Sequence, residues 1–234
     1  MNQVANPEDS CRGPEDQYHL GELRIALNPK HPAHNLPEIR RGETVLDIGC
    51  GAGQTLIAAC PYRAKGSVGL CDCEANGCPG NWGCGIDPDE GALRLGRTWT
   101  RLELKHGFGE AIPYPDQSFD LVVSRVALAY SDIPAAVAEI RRVLKPGGRI
   151  WVTLHPLSLV REQAAKANLR GKIFNTYVVL NGLAFHLFLR TFRLGRFSES
   201  WQSESAMRRL LQKSGFHDVA GKRTEHYSLV TARG

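Results

Sequence analysis

The 234-residue sequence predicts an α/β protein: a parallel sheet with helices on both faces. Three observations carry that expectation. Strand and helix signals alternate, with short turns, from residue 44 to residue 154. The first strand runs directly into closely spaced glycines and then into a helix. A helical stretch opening near Pro134 is stopped by Pro146-Gly147-Gly148 and followed at once by another apolar run.

Each element follows in order. Residues 1–16 are polar, with prolines and acids, and read as a loose tail. Leu20, Leu23 and Leu27 fall at helical spacing over residues 17–28, and Asn28-Pro29 ends that helix. Residues 44–48 read as a buried strand, 55–60 as a helix and 85–87 as the end of a second strand. Residues 90–99 form a helix and 119–124 a strand. The helix over 134–144 places Val137, Ile140 and Leu144 on one face, and residues 149–154 form the next strand. Residues 203–214 read as a helix with Met207, Leu210 and Leu211 inward, stopped by Gly215. Residues 216–220 and 227–232 read as two further strands. The chain therefore divides into an N-terminal tail and helix (1–43), a core (44–154), an insertion (155–202) and a C-terminal helix with the last strands (203–234), all one domain.

Composition narrows the classes. Hydrophobic residues are 42% and charged residues 23%, which excludes a mainly disordered chain. The formal charge of +5 permits an anionic partner without demanding one. No secretory signal is visible at the N-terminus, and the longest apolar stretch, 173–189, is short and interrupted by polar residues. Seven cysteines, an odd number in a chain this long, suit reduced thiols and a cytoplasmic protein.

The chemistry concentrates in Val45-Leu46-Asp47-Ile48-Gly49-Cys50-Gly51-Ala52-Gly53-Gln54. Glycines there allow a tight turn and close approach of a ligand to the backbone. A dinucleotide fingerprint needs glycine at the first, third and sixth positions, but Gln54 holds the sixth. Asp47, just before the loop, would repel a pyrophosphate and suit a ligand that brings positive charge. A dinucleotide loop of unusual spacing, as in an oxidoreductase, stays open as the alternative. Asp87, ending the second strand before Pro88, reads either as a ribose ligand or as a turn former.

These residues, with Glu110-Ala111-Ile112-Pro113-Tyr114-Pro115-Asp116-Gln117-Ser118-Phe119-Asp120-Leu121-Val122 and Glu139-Ile140-Arg141-Arg142-Val143-Leu144-Lys145-Pro146-Gly147-Gly148, resemble class I S-adenosylmethionine-dependent methyltransferases. More narrowly, they resemble the small-molecule group typified by ubiquinone and menaquinone biosynthesis. The resemblance spans roughly residues 44–154 and implies a Rossmann-like, seven-stranded, mainly parallel sheet whose final strand is antiparallel. It implies S-adenosylmethionine as cofactor, with Asp47, Gly49, Gly51 and Gly53 flanking its methionine part. Asp87, followed by Pro88, would bind the ribose, and Gly109 and Glu110 would lie beside the adenine. Ser124 and Arg125 would form the floor under the sulfonium. The chain departs from the family pattern at Phe108, where many members carry an aspartate for the adenine amine, and in Ala127-Leu128-Ala129-Tyr130, where many carry a histidine. Methyl transfer needs alignment more than acid–base help, so no fixed catalytic residue is required; His155 and Tyr130 are the candidates to touch substrate. A non-catalytic protein that binds the cofactor is the third reading.

Cys60, Cys71, Cys73, Cys78 and Cys84 cluster without a Cys-x-x-Cys pair, so free thiols in a loop are expected rather than a metal site. His31 and His34 flank prolines and carry no metal expectation. The insertion after the fifth strand reads as a helical cap over the acceptor site. It holds Phe174, Tyr177, Phe185, Phe188, Phe192 and Phe197, with Arg190, Arg193 and Arg196 among them. A hydrophobic acceptor pocket, peripheral membrane contact through residues 173–197, and plain packing with a solvated basic edge all remain open. Trp151 and Trp201 read as packing residues. A small-molecule acceptor is expected and nucleic acid is not, because the net charge is small and no aromatic-Pro motif follows the fourth strand; the sequence assigns no oligomeric state.

Overall fold

The computed structural model describes residues 7–62, 78–79, 82–194, 198–224 and 227–234. Short α1 (Pro7–Ser10) and α2 (Pro14–Leu27) precede β1 (Val45–Ile48), α3 (Gln54–Ala59), β2 (Gly83–Asp87), α4 (Glu90–Trp99) and β3 (Glu103–His106). Then come β4 (Phe119–Arg125), a single 3-10 turn (Ala127–Tyr130), α5 (Ile133–Val143) and β5 (Leu144–Leu154). Helices α6 (Leu157–Lys166) and α7 (Leu169–Phe188) form the insertion, and α8 (Glu204–Lys213), β6 (His217–Arg223) and β7 (Ser228–Arg233) complete the order.

The seven strands form one sheet in the order β3-β2-β1-β4-β5-β7-β6. β1 to β5 are parallel, and β7 pairs antiparallel with both β5 and β6. The strand order reverses between β1 and β4, which opens a crevice at their carboxyl ends. One face buries Val137, Ile140, Met207 and Leu211 from α5 and α8, with Phe185 of α7. The other buries Leu56 of α3 and Leu93 of α4 against Val45, Leu121 and Val123. Leu20 and Leu23 of α2 pack with Ile57 and Trp99. Trp151 and Trp201 are buried, as packing residues should be.

Four sequence expectations change. The helix expected over 17–28 begins earlier, at Pro14. Proline suits the first helical turn, and Asp16 accepts from the Arg12 and Gly13 N–H groups at 2.8 and 3.1 Å. Part of the expected loose tail is therefore ordered. β3 carries no strand expectation because Glu103-Leu104-Lys105-His106 holds one apolar residue on the sheet margin. Helix α5 ends at Val143, and Pro146-Gly147-Gly148 lies inside β5 instead of stopping the helix. Lys145, preceding proline, disfavours helical backbone, and the register jumps from Phe119↔Leu144 to Leu121↔Arg149 across the resulting bulge. The last two strands run over 217–223 and 228–233 instead of 216–220 and 227–232.

Among the described cysteines, Cys11, Cys50 and Cys84 are free thiols, and the Cys60 and Cys78 Sγ atoms lie 3.8 Å apart. Cys71 and Cys73 lie outside the described residues. Among the described residues, no group of three His, Cys, Asp or Glu side chains is placed to hold a metal.

Candidate active site

A cavity of about 990 Å³ sits at the carboxyl ends of β1, β2, β4 and β5. That is the upper end of the usual range for ligand pockets, roughly 300–1,000 Å³, with room for a nucleoside and a second molecule. Its floor is the turn after β1. Gly49, Gly51 and Gly53 all have positive φ (70°, 54° and 82°), so the chain doubles back tightly there. A Cβ on Gly49 would overlap that of Ala127, so the loop can touch the post-β4 turn only with glycine at that position.

Asp87 reaches into this loop. Its Oδ2 accepts from the Gly51 N–H and its Oδ1 from the Asp89 N–H, both at 2.8 Å. Asp87 thus forms the turn that one reading expected, and with Pro88 it lines the cavity. Burial pushes its carboxyl up from the ordinary range, against the pull of those N–H groups.

Asp47, Gly53 and Ser124 are not on the cavity wall. Asp47 is 1% exposed and neither of its oxygens has a hydrogen-bond partner. Burial pushes its carboxyl up to about 7, while nearby Arg125 pulls it down. Gly53 packs against Leu104 as the left-handed residue before α3. Ser124 is buried and donates to the Ile48 carbonyl at 3.1 Å, so it ties β4 to β1 rather than forming a floor. Arg125 does line the cavity.

Gly109 and Glu110 also line it, on the loop after β3. That loop is clamped from α5: Arg142 donates to the Ile112 and Tyr114 carbonyls at 3.0 and 2.8 Å, and Glu139 accepts from the Ile112 N–H at 3.0 Å. The motif residues of α5 therefore position the loop without entering the cavity. Glu110 Oε1 accepts from the Asp132 N–H and from Arg193, both at 2.7 Å. Phe108 is half exposed at the rim, edge-on to His106.

His155 and Tyr130 come together on the opposite wall, ring centroids 6.1 Å apart. His155 is 1% exposed, and neither ring nitrogen is hydrogen-bonded. Glu199 Oε1 lies 3.8 Å from its Nε2. Burial holds the imidazole below its ordinary pKa, raises Glu199 and pushes the Tyr130 phenol up to about 12. The His155 backbone is fixed by Gln202, whose N–H donates to the His155 carbonyl at 2.7 Å.

Sequence reasoning missed a third part of the wall. Tyr18, His19 and Glu22 of α2 face the cavity, as do Leu159 and Gln163 of α6. Glu22 accepts from Arg125 at 2.7 Å, and Gln54 Nε2 lies 2.9 Å from His19 Nδ1. The available signal was the polar side of the Leu20-Leu23-Leu27 stripe.

Charge on the wall selects the ligand. Among the described residues Glu22, Asp87, Glu110 and Glu162 line it with Arg125; Glu22 pairs with Arg125, Glu110 with Arg193 and Glu162 with Lys166, which leaves Asp87 as the carboxylate outside these pairs. A carboxylate at the glycine turn disfavours a phosphate there. A crevice at the switch point of a doubly wound sheet, with a glycine turn and a strand-end carboxylate, suits a phosphate-free nucleoside cofactor.

Residues 46–152 match the family model described as a methyltransferase domain. The chain is 31% identical over 125 residues to the uncharacterized methyltransferase YcgJ of Bacillus subtilis, covering 50% of this chain and 43% of that protein. It is 34% identical over 119 residues to the demethylmenaquinone methyltransferase of Symbiobacterium thermophilum, covering 47% and 41%. The match thus spans less than half the length of either curated relative. In fold, the chain resembles the methyltransferase solved in complex with the Haloferax volcanii Trm112 activator, with TM-score 0.61, 19% identity and coverage of 99% and 97%. The core of this chain, residues 46–152, is thus similar to methyltransferase domains in sequence, and the whole chain is similar to one in fold. S-adenosylmethionine, the cofactor that the sequence resemblance implies, fits the residues present: an unpartnered buried carboxylate behind the glycine turn, Asp87 on the wall, and no unpaired arginine or lysine lining it among the described residues.

Proposed function

We propose that the protein transfers the methyl group of S-adenosylmethionine to a small, apolar acceptor. The observation that carries this reading is the cavity at the switch point, with Asp87 against the glycine turn, built on the matched domain. The cofactor supplies an activated methyl on a sulfonium. Asp87 would accept from the ribose hydroxyls, the Gly49 and Gly51 backbone would admit the methionine part, and Gly109 with Glu110 would border the adenine. Asp47 stays buried behind the loop, off the cavity wall. Tyr130, Leu159 and His155 form the acceptor wall, where the apolar Leu154, Pro156 and Leu159 alternate with the polar Thr153, Ser158 and Gln163. If the acceptor carries an ionisable O–H or N–H, neutral His155 is placed to take that proton. The relative named for demethylmenaquinone, a hydrophobic quinone, supports an apolar acceptor. An odd number of cysteines in a chain this long suits a cytoplasmic setting, and no nucleic-acid partner is proposed.

Titration calorimetry with S-adenosylhomocysteine, with NAD as control, tests the cofactor assignment. Saturable binding is expected, weakened at least about tenfold in Asp87→Ala by loss of charge-assisted hydrogen bonds. Labelled methyl transfer to a panel of quinones and phenols then tests the acceptor. NAD binding in preference would overturn the reading in favour of an oxidoreductase. Cofactor binding with no turnover on any acceptor would favour a non-catalytic binding protein.

A further inference from the structure

Helix α7 is apolar on both sides, yet the fold covers only one. Val178 packs with Val160 and Trp201, Gly182 lies against Trp201, and Phe185 enters the main core. On the outer side Leu169, Ile173, Leu180, Leu183, Leu187 and Phe188 are 42–75% exposed, at spacings that keep them along one side of the helix. The patch continues through Phe192 and Leu194, 58% and 54% exposed. An all-round apolar helix belongs where both sides are covered, and a contiguous patch of this kind marks an interaction surface. Among the described residues no helix is long and apolar enough to cross a membrane.

Charge identifies what covers it. Between Gln163 and Ser198 the chain holds Lys166, Arg170, Lys172, Arg190, Arg193 and Arg196 and no acid, which leaves the rest of the protein close to neutral. Arg170 and Lys172 stand exposed near the start of α7 and Arg190 just past its end, none of them in an ion pair among the described residues. A second copy docked through the same stripe would bring these cations against one another. An anionic lipid surface satisfies both the apolar stripe and its cationic ends.

We propose that α7 and residues 190–194 dock the protein on an anionic membrane surface without crossing it. The patch is joined to the cavity rim. Phe192 donates its N–H to Asn181 Oδ1 at 2.7 Å and accepts from the Tyr177 hydroxyl at 2.6 Å, while Arg193 bonds Glu110. Docking thus places the rim beside lipid, where an apolar acceptor is concentrated. The docking itself does not depend on the proposed acceptor, and its readout is binding.

The test is cosedimentation of the full chain with vesicles of phosphatidylcholine alone or mixed with phosphatidylglycerol. Binding to the anionic vesicles, weakening as salt rises, is expected. Leu180→Ser/Leu187→Ser and Arg170→Glu/Lys172→Glu should each lower affinity about tenfold or more, with circular dichroism and S-adenosylhomocysteine binding unchanged. Absence of binding to anionic vesicles, or equal binding by all variants, would overturn the proposal. So would a concentration-dependent dimer in light scattering that the leucine variant abolishes, which would assign the stripe to a second copy.

Discussion

Asp47 and Asp87 end neighbouring parallel strands, and burial separates their roles. Asp87 meets the cavity and two backbone N–H groups; Asp47 sits behind the turn with no donor. In the unfolded chain an aspartate releases its proton near pH 3.9. In the folded, cofactor-free protein Asp47 holds it up to about pH 7. Between those values the folded state binds more protons, so stability falls as pH rises from about 4 to 7 and stays low above. Asp47→Asn should remove that fall. Urea unfolding across this range should show the variant gaining on the wild type, by on the order of 1 kcal/mol or more at pH 7 and little at pH 4. At this scale the sequence singled out residues near the cavity and was less informative about where they point. The glycines, Asp87, Glu110 and Arg125 were legible because strand-to-loop motifs carry a spacing. That Asp47, Gly53 and Ser124 turn away from the cavity depends on strand alternation and loop handedness, which the motif does not encode.

Whole elements decide how the cavity closes. Helix α2 crosses it and is held by the Arg125–Glu22 pair, whose side chains are mostly shielded from water. Glu22→Gln should loosen this hold by about 1 kcal/mol, lowering affinity for S-adenosylhomocysteine several-fold and speeding protease cleavage after α2. Unchanged affinity and cleavage would show that α2 stays in place without the pair. The helix was legible from three leucines, but its partner lies a hundred residues away on β4, beyond any local pattern. The insertion was read as helical from its place after the fifth strand, its length and its apolar content, and the structure gives it α6 and α7. β3 was not legible, because four residues with a single apolar side chain give no periodicity. The Pro146-Gly147-Gly148 bulge was misread because proline and glycine mark a helix end and a strand bulge alike.

At the level of the molecule, the sheet is completed out of chain order. β7 lies between β5 and β6 and pairs with β5 over Arg149–Leu154. A protein shortened to residues 1–202 keeps every cavity-lining residue except Tyr227, yet leaves that edge of β5 open. It is expected to aggregate on expression and to show no cooperative thermal transition, measured by light scattering and circular dichroism. A soluble fragment that binds S-adenosylhomocysteine would show that the cofactor half stands alone. The same topology sets a timetable for the nascent chain. Residues 155–227 must leave the ribosome after β5 before β7 begins to emerge, roughly 4–15 s at ordinary elongation rates. Through that interval the buried Ile150–Leu154 end of β5 has one bare flank while the greasy α7 is being made beside it, so the newborn protein is a natural client for a chaperone that shields hydrophobic strands.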